Sequence, residues 1–210
     1  PYYYYKIANF YYDMSDYDSL GGTWIDAVSA GDYDWTHGNA IWFDEEEHNI
    51  YFSSRHLSRI SKIDYPTGNI IWNIGHEFKS DDIDGGEDIG FSFQHSVTKL
   101  DNGNILTFDN GNLSNYFLDQ NEQTSRSIEI KITDNDTLEA ELDWEYVLPS
   151  EMYGFLCGNT QKLNNGNYLI TTIGSGGTTL EVADNGEIIW QATYNLTLPN
   201  ALVYRAMRIP

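Results

Sequence analysis

Cysteine, basic residues and long apolar runs are all scarce in this chain of 210 residues. The single cysteine, Cys157, has no partner for an internal disulfide and cannot found a cysteine-based zinc site, so a buried spectator thiol is expected. Only 11 Lys and Arg stand against 32 Asp and Glu, a formal net charge of −21. That balance excludes nucleic acid as a partner, because phosphate binding needs clustered cations. It keeps the surface soluble and leaves room for a small ligand in a local positive pocket. No apolar run reaches the ~18 residues a membrane span needs. No secretory leader is visible and the chain opens on Pro1 rather than Met, as expected of a processed or truncated product.

What is abundant is aromatic. Phe, Trp and Tyr make up 15% of the residues, with 16 Tyr and 6 Trp. Together with many Ile, Thr and Gly, this favours β structure over helix. A repeat then organises the chain. One unit runs from His37 through HGNAIWFD, a turn, NIYFSSR, RISKIDY and NIIWNIG. A second runs from His95 through HSVTKL, DNGN, ILTFDNG, a long insertion, RSIEIKI and LEAELDWEY. A third runs from Thr160 through TQKL, NNGN, YLITTIG, TTLEVA, DNGE and IIWQATY. Each unit is four short strands, and the Asn-Gly and Asp-Asn-Gly turns supply the positive φ that tight hairpins require.

Four-stranded antiparallel units repeated in phase imply an all-β chain built as a β-propeller, in place of an ordinary sandwich. The expectation is one domain over 1–210, an incomplete or partial ring, which the family resemblance given below implies to be six-bladed. Recognisable blades fall at 37–75, 94–146 and 158–195. Residues 1–36 form a Tyr- and Asp-rich partial blade, and 200–210 a closing strand. Three blades and a fraction do not close a circle, so either further blades precede them or the ring closes between chains as a homo-oligomer.

The phase of the repeat suggests a site. First strands line the channel of a propeller, so His37, His95 and Thr160, each opening a unit, converge at one mouth. Asn39 shares the face of His37. Second strands return to the same mouth, bringing Arg55, then Asp109 and Asn110, then the 171–176 region. Arg55 offers a fork of donors suited to a tetrahedral oxyanion, Asn39 and Thr160 add neutral donors, one histidine can attack and another can donate a proton. Two histidines without a phased carboxylate set do not specify a metal, and the Asp-rich stretches lack a full calcium-loop pattern.

At these residues the chain resembles the bacterial arylsulfate sulfotransferase family, six-bladed propeller enzymes that need no nucleotide sulfate donor. The stretches are DWTHGNAI (34–41), YFSSRHLSRISKID (51–64), FQHSVTKLDNGNILTFDNG (93–111), SRSIEI (125–130), GNTQKLNNGNYLIT (158–171), EVADNGEIIW (181–190) and YRAMRI (204–209). The resemblance implies ping-pong transfer of a sulfuryl group from an aryl sulfate to a phenol through a sulfohistidine. It implies His95 as nucleophile, His37, Asn39 and Arg55 as sulfate-binding and proton-handling groups, and Thr160 and Tyr204 as further pocket residues. Cationic Arg55 is expected to lower the pKa of His95. No cofactor and no metal are implied; the partners are a small aryl sulfate and a phenol, and the location periplasmic or extracellular. The family also carries a histidine in an earlier blade, and none precedes His37 here. The competing expectations are a non-catalytic propeller that binds a ligand or partner, and a quinone-binding propeller, suggested by the Ile-Ile-Trp strands.

Overall fold

A computed structural model describes residues 36–75, 82–83, 89–118, 121–134, 138–197 and 201–209. The expected partial blade at 1–36 lies outside these but for its last residue. The described residues are all-β but for single helical turns, and no helix among them is long and apolar enough to cross a membrane.

Three antiparallel sheets follow one another along the chain, each with its strands in consecutive order. The first holds β1 (Gly38–Asp44), β2 (Asn49–Ser54), β3 (Arg59–Asp64) and β4 (Ile70–Gly75), with a two-residue β5 (Asp82–Ile83) added parallel to β4. The second holds β6 (His95–Lys99), β7 (Ile105–Asp109), β8 (Arg126–Asp134) and β9 (Leu138–Val147). The third holds β10 (Asn159–Lys162), β11 (Tyr168–Thr172), β12 (Thr178–Val182) and β13 (Ile188–Thr193). These meanders are propeller blades, with β1, β6 and β10 as the first strands.

Turn chemistry sets the register. In Leu100–Asn104 and Leu163–Asn167 the leucine N–H donates to the asparagine carbonyl at 2.8 Å, with Gly103 and Gly166 at positive φ between them. The two hairpins follow one pattern, and four residues beyond their closing asparagines Phe108 pairs with His95 while Thr171 pairs with Asn159, so His95 corresponds in register to Asn159.

The core lies between blades. Tyr51, Ile60, Trp72 and Ile74 of the first blade meet Ile89, Phe91, Val97, Ile105, Ile128 and Ile130. Leu106, Phe108 and Leu148 meet Tyr168, Ile170, Leu180 and Val182 in a second cluster. Trp144 stacks flat on Tyr168 with ring centroids 3.6 Å apart. Strand β9 alternates strictly between half-buried and exposed residues, the period-two pattern of a strand with one face covered.

Residues 201–209, within the expected closing strand, join no backbone ladder. Side-chain amides hold them beside β10 instead. Asn159 donates to the Ala206 carbonyl at 3.1 Å, and Gln161 both donates to the Arg208 carbonyl and accepts from its N–H. Among the described residues, the backbone tie at this edge is Gly158 N–H to the Tyr204 carbonyl, 3.2 Å.

Candidate functional site

His95 opens β6 at a bulge: His95 pairs with Phe108 and Thr98 with Leu106, leaving an extra residue on the β6 side. Phe93 and Ser96, flanking it, both take positive φ. Bulges of this kind re-aim side chains, and the His95 ring is carried into the protein, where it is only 4% exposed. Its Nδ1 lies 2.7 Å from Asn110 Oδ1 and 3.2 Å from the Phe93 carbonyl. Burial pushes its pKa down to about 4 against the pull of the Asn110 hydrogen bond, and the charge of Arg55 adds to the lowering. The sequence pointed to Arg55 as the cause; enclosure is the larger one.

Arg55 follows β2 at a tight helical turn and is buried. Its guanidinium sits 4.7 Å from the centre of the Phe93 ring, and Nη2 donates to the Phe155 carbonyl at 3.2 Å. Phe93 is thus a floor for the cation as well as a carbonyl acceptor beside His95. An aromatic face holds a desolvated guanidinium without neutralising it.

The remaining sequence-predicted residues divide. Asn39 sits at a second bulge, between Gly38 and Ala40 of β1; its Nδ2 donates to the Gln94 carbonyl at 2.7 Å, and its buried Oδ1 has no protein partner among the described residues. Tyr204 reaches His95 edge-on, with ring centroids 6.0 Å apart, and its hydroxyl stands 3.5 Å from the Asn39 carbonyl. His37 is half-buried at positive φ; its ring lies 4.5 Å from that of His56, and its carbonyl accepts from Arg55 N–H. Asn39, Arg55, His95 and Tyr204 therefore come together, with His37 at their edge.

Thr160 does not join them. Its hydroxyl lies 2.6 Å from Ser127 Oγ, in the buried contact between the second and third blades. The expectation placed Thr160 in phase with His95, whereas the strand register puts Asn159 there, next to Gly158. Gly158 has φ +107, and a Cβ on it would stand 2.4 Å from the Phe108 ring.

Other contributors take their part only in the fold. Tyr153 holds a buried hydroxyl with no protein partner among the described residues; burial pushes its pKa far up while nearby Arg55 pulls it down. Cys157 is buried, and burial pushes its thiol up to about 11, so its contribution is a carbonyl rather than a nucleophile. Asp109, fully enclosed, accepts from Arg126 Nε at 2.9 Å and from the N–H groups of Ser92 and Gly111. This pair braces both loops that reach the site. No group of three or more His, Cys, Asp or Glu among the described residues is arranged to hold a metal ion. A cavity of about 260 Å³, lined by Gln161, Lys162, Leu163, Arg208 and Ile209, opens at the other end of β10 and contains none of the sequence-predicted site residues but for its proximity in chain to Thr160.

The arrangement is a buried, uncharged histidine with one ring nitrogen tied down, beside a desolvated guanidinium and neutral amide groups. It can offer a nitrogen lone pair to an electrophile while holding the electrophile's anionic oxygens.

The model of the arylsulfotransferase (ASST) family matches residues 16–205. A search of curated proteins found no significant match. Similar solved structures include a streptogramin B lyase, at 19% identity and TM-score 0.44 over 80% of this chain and 43% of that one. Another is the β-propeller domain of Cps50 (Swd1) from Myceliophteria thermophila, at 12% identity and TM-score 0.47 over 82% of this chain and 46% of that one. The chain spans less than half the length of either.

Proposed function

Because the chain belongs to the arylsulfotransferase family, we propose that it moves a sulfuryl group from an aryl sulfate to a phenolic acceptor in two steps, through a sulfohistidine on His95. In the first step a His95 ring nitrogen attacks sulfur, the S–N bond forms, and the S–O bond to the aryl group breaks with its electron pair leaving on the phenolate. In the second, the acceptor phenol oxygen attacks the same sulfur, the S–N bond breaks, and the ring recovers its lone pair while the phenolic proton passes to solvent or to His37.

The observation that carries this reading is the state of His95. A ring with its pKa lowered to about 4 is unprotonated at neutral pH and available to attack. Transfer of this type is chiefly positioning and charge stabilisation, as for phosphoryl groups. Arg55 supplies a fork of donors for the sulfuryl oxygens, and Asn39, held by Gln94, stands beside it. His37 is the group assigned to protonate the departing phenolate, and Tyr204 the aromatic wall against the aryl ring. The same family relationship suggests a periplasmic or extracellular setting.

The test is turnover of 4-nitrophenyl sulfate with phenol as acceptor. Nitrophenol release by the chain, lost in His95→Ala, is the expected result, along with a mass increment of about 80 Da on the His95 peptide when acceptor is withheld. Turnover unchanged in His95→Ala overturns the reading.

A further inference from the structure

We propose that Asn110 is a positioning residue that fixes the tautomer of His95, keeping the proton on Nδ1 and leaving Nε2 as the attacking nitrogen. The inference rests on the sulfuryl-transfer reading for its use but not for its geometry.

The argument begins away from the histidine. Asn110 is wholly buried. Its Nδ2 lies 2.6 Å from the Gly154 carbonyl and 2.8 Å from the Cys157 carbonyl. Carbonyl oxygens only accept, so these two partners determine which end of the amide carries the NH2. Flipping the amide would set its oxygen against two carbonyls. The backbone on either side is held as well: the Asn110 carbonyl accepts from Ser125 Oγ at 2.8 Å, and Ser125 Oγ in turn accepts from Gly154 N–H at 3.0 Å.

With the amide so oriented, Asn110 Oδ1 faces His95 Nδ1 at 2.7 Å, and the Phe93 carbonyl faces the same nitrogen at 3.2 Å. Both are pure acceptors. An unprotonated Nδ1 would bring a lone pair against two others in a buried site, where unpaired polar groups are costly. Nδ1 therefore carries the hydrogen, and in the neutral ring Nε2 carries the lone pair. Asn110 matters again once reaction begins. Attack through Nε2 puts positive charge on the ring, and the Nδ1–H to Oδ1 hydrogen bond strengthens as that charge develops.

The position has a counterpart in each blade. Asn110 lies six residues after Asn104, as Arg55 lies six after Asn49 and Ile173 six after Asn167. One place at the end of the second strand thus delivers the cation in the first blade and the tautomer lock in the second.

The experiment is nitrogen-15 NMR of the full chain labelled at histidine, with His95→Ala to assign the ring. The expected result at neutral pH is a protonated Nδ1 and an unprotonated Nε2 in the wild type, with the Nε2–H form appearing in Asn110→Ala. The variant's first-step rate should fall about 10- to 100-fold with little change in KM, as for lost groups that orient a reacting ligand. A wild-type ring protonated on Nε2, or a tautomer unaltered in Asn110→Ala, overturns the proposal. If Asn110→Ala does not fold, the wild type serves: a through-hydrogen-bond coupling between His95 Nδ1–H and the Asn110 side-chain carbonyl carbon is expected, and its absence overturns the proposal. Loss of turnover in His95→Ala with an Nε2–H wild type would sink only this inference. A correct tautomer with turnover intact in His95→Ala would sink only the sulfohistidine.

Discussion

Lys162 and Glu129 tie the third blade to the second through a 2.8 Å ion pair whose carboxylate is almost wholly enclosed. Arg208 meets Glu181 in the same way at 2.6 Å. The other oxygen of each carboxylate accepts from the two asparagines of its own hairpin, Asn102 and Asn104 for Glu129, Asn165 and Asn167 for Glu181. Residues 204–208 therefore stand against the third blade as β10 stands against the second, although they form no ladder.

From this repeat, Glu129→Ala is expected to destabilise the fold by about 3 kcal/mol, because it strands the buried Asn104 and a tyrosine hydroxyl as well as Lys162 and the exposed Asn102. Arg208→Ala, which removes a half-exposed side chain, should cost below about 1 kcal/mol. Hydrogen bonds from Arg208, Asn167 and Asn165 hold the Glu181 pKa down to about 2. Its folded value is below the ordinary 4.5, so its contribution is complete above pH 4.5 and is lost as pH falls through about 2. Urea denaturation against pH should show that acid loss in the wild type and a shallower one in Arg208→Ala. Equal slopes would refute the assignment.

The pH profile of His95 follows from its burial. Donor kcat/KM should hold level from neutral pH to about 5 and fall with a midpoint near 4, where the ring takes a proton. For stability the sign is the opposite of a salt-bridged histidine. The unfolded chain binds the proton first, so stability is complete above pH 6.5 and declines as pH drops from there toward 4. A rate midpoint near 6.5 would show that the ring is not enclosed in the working protein.

Arg55 is separable into charge and shape. Arg55→Lys keeps the charge and loses the fork, and should lower donor kcat/KM by about 100-fold with little movement of the His95 midpoint. Arg55→Met should lower it at least as far and let the midpoint rise, since the cation is one of the groups that depress it. A midpoint unmoved in Arg55→Met would mean the guanidinium does not act on the ring.

Gly158→Ala tests the packing of the third blade on the second. At φ +107 and with the Phe108 ring 2.4 Å from the added Cβ, the alanine should destabilise by about 2 kcal/mol or more. The same change at Gly166, where a Cβ meets nothing within 4 Å, should cost less, through its positive φ alone. Equal losses in thermal unfolding would contradict the packing of Gly158 on Phe108.

The sequence by itself determined the blades. Asn-Gly turns, β-branched alternation and the spacing of the three units are local chemistry, and local chemistry selects hairpins. It also placed His95 and Arg55 at strand ends that meet, because both follow from counting along a meander. What the count could not carry was bulge and neighbour. An extra residue in β6 turns His95 inward, and the matching register position in the third blade belongs to Asn159 rather than Thr160. The two Ile-Ile-Trp strands read alike, yet Trp72 is 6% exposed and Trp190 47%. Burial is decided by what packs on a strand, and for Trp72 that is the second blade. Asn110 is the sharpest case. Its place at the mouth was legible, but its function depends on the carbonyls of Gly154 and Cys157, 44 and 47 residues away in the chain. Only the folded backbone brings those acceptors to one amide, and only then does the proton on His95 have a defined seat.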